Sequence, residues 1–398
     1  MTPRGSPRWR TWLASQSILA QAAWVSVKLM IGYRAIAEGA DASFLAILTA
    51  MFAAPALLAA LPSGRFADRW GGGAAAAVGS VLAVAGVGLV LLLPGLGMLL
   101  IGSAVVGLGN MIAMVGQQTL VAHVSHDDRD GAYGFLSASA SAGQMAGPPL
   151  VTLVAGFSST GSGPNTSLGL TACLIVSAVA LPLSVPLARA ERALSSSPAE
   201  MSKSSRGGRA LLSGDVWRAM VISGVVLVSM DMLYAFLPIW ALDGGVAAGT
   251  VGMLLALRAA VSLISRVGLS RIVARFGRAR VIVASTALAA VAMGLLPLVG
   301  VPGATLVMVA LGVGLGIPQP LTMAWAVALT EPHRHGLVLG LRLGANRLVQ
   351  IVVPLAMSAT VATQGAGGVF WANSGLLAGC TALAAVRGTP EKSQGEET

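Results

Sequence analysis

Apolar runs long enough to cross a bilayer recur along the whole 398-residue chain. About 20 apolar residues span the hydrocarbon core as a helix. Hydrophobic residues make up 55% of the sequence and charged residues 10%, against roughly a quarter charged in soluble domains. The chain is therefore predicted to be an all-α membrane protein with 12 transmembrane helices, at residues 12–36, 43–62, 74–94, 97–122, 131–156, 167–188, 215–240, 247–266, 279–299, 303–329, 337–362 and 367–386.

The positive charges are distributed unevenly among the predicted loops. The net charge is +10, and the cations stand before span 1, after spans 2, 4, 8, 10 and 12, and between spans 6 and 7. The opposite loops carry almost nothing but Arg34, beside Glu38 and Asp41. Because cytoplasmic loops are enriched in Lys and Arg, we expect both termini to be cytoplasmic. The basic charge thus indicates membrane topology and no nucleic-acid partner.

The chain repeats itself at an offset of about 206 residues, which predicts two parallel six-helix halves. We expect an N-terminal bundle at 1–188, a cytoplasmic linker at 189–214 that is rich in Ser and Arg, and a C-terminal bundle at 215–398. The matching pairs are Arg65/Arg271, Arg69/Arg275, Gly71/Gly277, Gly134/Gly340, Gln144/Gln350 and Pro148/Pro354, with Gly107/Gly314, Gly109/Gly316, His126/His333 and Cys173/Cys380 at about 207.

A short basic stretch after span 2, SGRFADRWGGG, contains Gly64, Asp68, Arg69 and Gly71. Their spacing resembles the loop signature of the major facilitator superfamily (MFS) of transporters, which implies a substrate site between the two bundles near the midplane. We expect Asp68 to lie beside a helix N-terminus, where a carboxylate is favoured. Pairing with cations across the two bundles would make it a cytoplasmic gate. The second copy has Ala274 at this position, so gating should be asymmetric; a tight, solvated turn is the alternative.

Span 5 contains Gly134, Gly143, Gly147 and Pro148, whose spacing resembles the fifth-helix signature of the superfamily's antiporters. Glycines let helices approach closely, and proline kinks a helix by removing a backbone donor. In the resembling antiporters this face packs against another helix of the same half. The resemblance implies an exporter of the bacterial 12-helix type, and a generic glycine-rich packing helix is the alternative. Where the family pattern ends in two further glycines, this chain has Val151 and Thr152.

Four ionisable residues stand out deep inside predicted spans, where a charge is costly enough to suggest function. They are Lys28 in span 1, Asp231 in span 7, Arg258 in span 8 and Arg347 in span 11. In this architecture these spans line the central cavity, so three cations and one carboxylate predict a positive site suited to an anion, which Arg binds in a bidentate manner. The predicted substrate-binding residues are Lys28, Asp231, Arg258, Asn346, Arg347, Gln350, Gln144 and Tyr234.

Asp231 is the only acidic residue well inside a predicted span. If it lies near Arg258 or Arg347, it serves as an internal counter-ion. If burial isolates it, it binds and releases a proton. Our hypothesis is that Asp231 is the proton-coupling group.

The sequence contains no Walker loop, catalytic triad, dinucleotide-binding fingerprint or metal-ligand motif. We therefore expect neither an enzyme nor an ATP-driven pump, with no metal or cofactor and a proton gradient as the driving force. The predicted protein is a monomeric, multi-pass transporter of the bacterial inner membrane that exports a small organic molecule by alternating access. The alternatives are a proton symporter or exchanger for an organic anion, and a non-transporting membrane sensor or assembly partner.

Overall fold

The computed structural model describes residues 8–124, 129–157, 163–194, 214–266, 269–328 and 335–386. The regular elements within these ranges are helices, and a short 3-10 helix at Leu296–Leu298 follows α10. The α-helices are α1 (Arg8–Ala37), α2 (Ala42–Trp70), α3 (Gly72–Leu92), α4 (Leu96–Val124), α5 (Arg129–Gly156), α6 (Thr166–Leu194), α7 (Gly214–Asp243), α8 (Ala248–Ile264), α9 (Leu269–Phe276), α10 (Arg278–Leu295), α11 (Val301–Gly316), α12 (Pro318–Ala328) and α13 (His335–Ala385).

Eight segments of the described chain are long and apolar enough to cross a membrane, and α8 is a shorter apolar helix. Four of the twelve predicted spans, numbers 1, 5, 8 and 11, are not among these eight segments. Three of their helices are more polar, because α1 contains Lys28, α13 contains Arg347 and α5 is rich in Ser and Gly. The fourth, α8, is an apolar helix that contains Arg258 and has only 17 residues. Three of the four predicted intramembrane charges, Lys28, Arg258 and Arg347, thus lie outside the eight segments.

Predicted spans 11 and 12 both lie in α13, a helix of 51 residues that folds back on itself. Its Gln350 donates a hydrogen bond to Asp231 of α7, and its Asn373 accepts one from Ser229 of α7. These two partners are only two residues apart on α7. In a straight helix the 23 residues from Gln350 to Asn373 would cover about 35 Å. α13 therefore has two arms, a first arm that contains Gln350 and a second arm that contains Asn373, and both pack along α7.

The helices pack as two groups. In the N-terminal group (α1–α6), α3 packs on α4 and α6, α2 packs on α4, and α1 packs on α5 and α6. In the C-terminal group (α7–α13), α10 packs on α11 and α13, α8 packs on α11, and α7 packs on α13 and α12. The main contacts between the groups are α5 with α8, α2 with α13 and α1 with α7.

Two turns recur in both groups at the same offset. Gly39 (φ 81°) and Gly71 (φ 93°) in the N-terminal group stand 206 residues before Gly245 (φ 65°) and Gly277 (φ 81°). Glycine is favoured at each position because L side chains rarely adopt a positive φ. The amides of Gly71 and Gly277 each donate to the carbonyl four residues earlier, at 2.8 Å, which ends the preceding helix in the same way.

The glycines of α4 and α11 have a different register from the one that the sequence suggests. A Cβ on Gly107 would lie 2.0 Å from the Phe52 carbonyl oxygen, and one on Gly312 would lie 2.7 Å from the Arg258 carbonyl oxygen. Since Phe52 and Arg258 are themselves 206 residues apart, Gly107 corresponds to Gly312. The sequence pairing of Gly107 with Gly314 is therefore wrong by two residues, because glycines at alternate positions, 312, 314 and 316, fit either register.

Candidate functional site

Lys28 of α1 and Asp231 of α7 form a buried ion pair between the two helix groups. The Lys28 Nζ atom lies 2.5 Å from the Asp231 Oδ1 atom, and the side chains are only 6% and 11% exposed. Removing one member of a buried pair leaves an uncompensated charge, which is strongly destabilising. The pair therefore holds α1 against α7 for as long as both side chains stay charged.

The other Asp231 oxygen, Oδ2, accepts a hydrogen bond from the Gln350 side-chain amide. The Gln350 carbonyl oxygen in turn accepts one from Arg347 Nη1 at 2.9 Å. Arg347 Nη2 also lies 3.9 Å from the Met111 sulfur on α4, in the opposite group. Lys28, Asp231, Gln350 and Arg347 thus form one hydrogen-bonded chain, called here the central charge cluster.

The sequence left open whether Asp231 lies near Arg258 or Arg347 or is isolated by burial. In the structure its direct partner is Lys28. Arg347 is joined to it through Gln350, so in this structure Asp231 is ion-paired with Lys28 and is not an isolated carboxyl group. Gln350 and Arg347 lie three residues apart on one face of α13, as their spacing predicted.

Aromatic rings surround the ammonium group of Lys28. Its Nζ atom lies 4.4 Å from the Trp24 ring centroid and 5.5 Å from that of Phe52. The two rings meet edge to face with centroids 5.5 Å apart. A cation over an aromatic face is stabilised by the ring quadrupole. Sequence reasoning missed Phe52, although its position 206 residues before Arg258 pointed to it.

Arg258 of α8 lies beside the cluster and is 2% exposed. Its Nη2 atom donates to the Tyr234 hydroxyl at 3.2 Å, and its guanidinium carbon lies 5.8 Å from the Tyr234 ring centroid. Within the described residues its Nε atom has no hydrogen-bond partner. Tyr234 therefore positions Arg258 without neutralising its charge.

A small pocket opens next to the ion pair, between α1, α2 and α7. Lys28 and Asp231 stand at one side of it, and Tyr234 contributes to its wall. The rest of the lining is apolar apart from one hydroxyl. The lining residues are Lys28, Gly32, Leu45, Leu48, Thr49, Phe52, Asp231, Tyr234 and Ala235.

Four of the predicted substrate-binding residues make no hydrogen bond to the central charge cluster among the described residues: Arg258, Tyr234, Gln144 and Asn346. Gln144 of α5 donates to the Gln21 carbonyl oxygen at 3.2 Å, inside the N-terminal group. Asn346 is buried on the first arm of α13, and its Oδ1 atom has no partner among the described residues. Gln144 is thus assigned to packing of α5 on α1, while Asn346 has an unused acceptor one residue from Arg347.

At the α2–α3 junction, the carboxylate of Glu191 from α6 lies at the N-terminus of α3. The Glu191 Oε1 and Oε2 atoms accept hydrogen bonds from the amides of Gly72 and Gly73, each at 2.8 Å. Glu191 is buried near the end of α6. Sequence reasoning missed it because its partners are 118 and 119 residues away in the chain.

The other residues of the loop motif are less informative. The side chain of Asp68 lies outside the described part of the structure, so its predicted gate contact remains a prediction. Arg69 is exposed and its guanidinium carbon lies 5.5 Å from the Trp70 ring centroid. A Cβ on Gly64 would meet nothing within 4 Å, so close packing does not explain that glycine.

The α5 glycines pack against α1, as the resemblance implied for a helix of the same half. A Cβ on Gly143 would lie 2.2 Å from the Ile18 carbonyl oxygen, and one on Gly147 would lie 2.6 Å from that of Ala22. The surroundings of Gly134 are not described.

The side of α5 that faces α8 contains Pro148 and Thr152. Thr152 stands where the antiporter pattern has its last glycine. The Thr152 hydroxyl donates to the Pro148 carbonyl at 2.7 Å. A Cβ on Gly252 of α8 would lie 2.0 Å from the Thr152 hydroxyl oxygen. α5 is thus held closely between α1 of its own group and α8 of the other.

Comparison with known proteins agrees with this architecture. A sequence profile of the Major Facilitator Superfamily matches residues 13–243 and 219–398. No curated protein sequence matches significantly. A solved structure of a POT family transporter in complex with 5-aminolevulinic acid has a TM-score of 0.76 at 14% identity, covering 96% of both chains.

Two further solved structures share the fold. A D-xylose-proton symporter has a TM-score of 0.76 at 14% identity, covering 96% of this chain and 98% of that chain. A bacterial homologue of the human lysosomal transporter Spinster, in an inward-facing and unoccupied conformation, has a TM-score of 0.74 at 14% identity and covers 96% and 97%. With a profile match along nearly its whole length, this chain belongs to the major facilitator superfamily and is a multi-pass membrane protein with a transporter fold.

Proposed function

We propose that this protein is a secondary active transporter that exports a small organic molecule across the bacterial inner membrane in exchange for protons. The observation that carries the proposal is the buried Lys28–Asp231 pair, which connects the two helix groups beside a pocket. A transporter that works by alternating access must join and separate its two halves around one site. An ion pair between the halves makes that motion sensitive to protonation.

Asp231 is the proton-coupling group of the proposed mechanism. When Asp231 is charged, it holds Lys28 and Gln350, and α1 stays against α7. Proton binding neutralises Asp231 and removes the attraction to Lys28. The two helix groups then separate at a lower cost in free energy. Because substrate and proton then compete for the same carboxyl group, the binding of one favours release of the other.

The proposed architecture is twelve membrane-spanning helices in two parallel repeats, with both termini in the cytoplasm. The equal 206-residue offsets of the turns at Gly39 and Gly245 and at Gly71 and Gly277 support the repeat. The N-terminal bundle then ends at residue 188, and residues 189–214 connect it to the C-terminal bundle at 215–398. The first four residues of α6 beyond this boundary include Glu191, which would fasten the linker to α3.

Export is proposed from the antiporter-like spacing of Gly134, Gly143, Gly147 and Pro148 in α5. Gly143 and Gly147 press it against α1, and Thr152 contacts α8. A helix held this closely on both sides would limit leakage of protons past the site, which any proton-coupled transporter must prevent.

Proton symport or exchange of an organic anion is the second candidate. Three buried cations, Lys28, Arg258 and Arg347, stand against a single carboxylate, Asp231, in the described part of the site. An anionic substrate would offset this excess of positive charge. The similarity in fold to a D-xylose-proton symporter is compatible with symport.

A ligand screen followed by transport measurements tests the proposal. Purified protein is heated with anionic, neutral and cationic organic compounds at acid and neutral pH, because a ligand of the folded state must raise the unfolding temperature. Compounds that stabilise the protein are then loaded into proteoliposomes, and their movement is followed under an imposed pH gradient.

The decisive variant is Asp231→Asn, with Asp215→Asn as its control on the same helix. Asp215 pairs with Arg218 near the start of α7, away from the pocket. We expect Asp231→Asn to abolish the response of transport to the pH gradient and Asp215→Asn to keep it. Unchanged gradient dependence in Asp231→Asn would refute proton coupling at this residue. Stabilisation by anions alone would favour the second candidate.

A further inference from the structure

An arginine patch lies at the junction of α8, α9 and α10. It consists of Arg271 and Arg275 on α9 and Arg278 and Arg280 in the first turn of α10. Arg271, Arg275 and Arg280 are exposed, and Arg278 is partly buried. None of the ion pairs found among the described residues includes any of the four.

Apolar side chains are exposed beside these cations. Ile272 is 39% exposed and Phe276 is 50% exposed. On the same face of α9, Leu269 is buried and Val273 packs against the core, while Arg271 and Arg275 lie on the other face. The Arg275 guanidinium carbon lies 5.4 Å from the Phe276 ring centroid. A short helix that exposes both arginines and large apolar residues has the composition of an element lying in a membrane interface.

The equivalent junction in the N-terminal group supplies its own anion. There, the Glu191 carboxylate accepts from the first two amides of α3, and a Cβ on Gly71 would lie 3.0 Å from Glu191 Oε2. At the equivalent Gly277, a Cβ would meet nothing within 4 Å. The fold thus has room for an anion at both junctions, and among the described residues only the first is filled by a side chain.

Helix length and one substitution explain this difference. α6 continues to Leu194 and so carries Glu191 to the start of α3, whereas the second arm of α13 ends at Ala385. With the 206-residue offset, Ala385 corresponds to residue 179, well before Glu191. The position equivalent to Asp68 is Ala274, so the second loop motif lacks its own carboxylate as well.

We propose that the arginine patch binds the phosphate headgroup of an anionic phospholipid from the surrounding leaflet. The phosphate lies at the start of α10, in the space beside Gly277, and is held by Arg271, Arg275 and Arg278. Ile272 and Phe276 insert among the upper acyl chains. Basic clusters that adjoin membrane helices attract anionic lipid electrostatically. The exposed apolar pair favours a lipid over a soluble acidic peptide, because a peptide would leave that pair in water.

Lipid binding to the delipidated full-length protein tests this proposal. The protein is given dioleoyl-phosphatidylglycerol or dioleoyl-phosphatidylcholine in detergent at low ionic strength, and the unfolding temperature and the retained lipid per protein are measured. We expect phosphatidylglycerol to stabilise the protein more than phosphatidylcholine, with a difference that shrinks as salt is added. The double variant Arg271→Gln/Arg275→Gln should lose at least half of this difference.

The matched control is Arg65→Gln/Arg69→Gln at the equivalent positions of the first junction, which should keep the preference. If the double variant does not fold, Ala274→Asp provides a milder test, because a carboxylate there should compete with the headgroup and reduce lipid retention.

Four results would overturn the proposal. The first is no headgroup preference in the unmodified protein, and the second is an equal loss of that preference in the double variant and its control. The third is full stabilisation by inorganic phosphate at the same concentration. The fourth is a lipid preference that emerges only after Glu391, Glu396 and Glu397 are changed to Gln. The third would identify a free anion as the ligand, and the fourth would identify the acidic C-terminal residues as the occupant.

Discussion

Gln144 and Gln350 are 206 residues apart, and the two helix groups use them differently. In the N-terminal group, Gln144 donates to Gln21, so two neutral amides join α5 to α1. In the C-terminal group, Gln350 donates to Asp231, which is also bonded to Lys28 of the opposite group. The two glutamines occupy equivalent positions, but Gln144 joins helices within the N-terminal group, whereas Gln350 belongs to a contact that connects the two groups. The charged contact is the one that lies between the two helix groups.

The largest expected effect comes from Asp231→Asn, because it leaves Lys28 buried without a counter-charge. We expect a loss of about 3 kcal/mol in the free energy of unfolding, the magnitude typical of breaking a buried pair. Asp215→Asn breaks a more exposed pair with Arg218 and should cost less than about 1 kcal/mol. Thermal unfolding in one detergent measures both. Equal losses would show that the central pair is no more important than a peripheral one.

The comparison itself is tested by Gln350→Leu and Gln144→Leu. Removing Gln350 leaves an unsatisfied hydrogen-bonding site on a charged group, whereas removing Gln144 leaves one on a neutral amide. We expect about 2 kcal/mol and about 1 kcal/mol of destabilisation, respectively. Transport of a compound identified by the ligand screen should fall at least tenfold in the first variant and much less in the second. If the two variants behave alike, the proposed difference between the neutral Gln144–Gln21 contact and the charged Gln350–Asp231 contact is wrong.

A small effect is expected from Glu191→Gln at the α2–α3 junction. The amide side chain keeps one acceptor oxygen but loses the second, together with the charge that the helix N-terminus favours. The cost should be about 1 kcal/mol. Faster amide hydrogen exchange at Gly72 and Gly73 measures it locally, with the first turn of α10 as internal control. Unchanged exchange at these two glycines would show that Glu191 does not fasten the start of α3.

Much of the central site was predictable because a charge inside a membrane span is costly. Lys28, Asp231, Arg258 and Arg347 were identified in this way, and helical spacing predicted that Arg347 and Gln350 lie on one face. The pairing of Lys28 with Asp231 was not predictable, because it depends on which helices become neighbours across the two groups. A sequence pattern indicates which residues are buried but contains no direct record of that arrangement.

Other features depended on contacts between distant segments. Glu191 reaches the start of α3 across more than a hundred residues, and its charge in the sequence resembles that of any loop residue. The α11 glycines had an ambiguous register because they recur at every second position, and only their neighbours on α8 and α10 resolve it. In contrast, the loop glycines Gly71 and Gly277 were paired correctly from sequence, because a required positive φ leaves little freedom at such a position.

The most direct test of the central claim is a double-mutant cycle on the pair, using Lys28→Met, Asp231→Leu and the double variant, with the free energy of unfolding as the readout. If Lys28 and Asp231 stabilise each other across the two groups, each single variant leaves a buried charge and the double variant leaves none. We therefore predict that the double variant is more stable than either single variant, with a coupling energy of about 2 kcal/mol. Losses that simply add would contradict the account, because they would show that the two charges do not depend on each other.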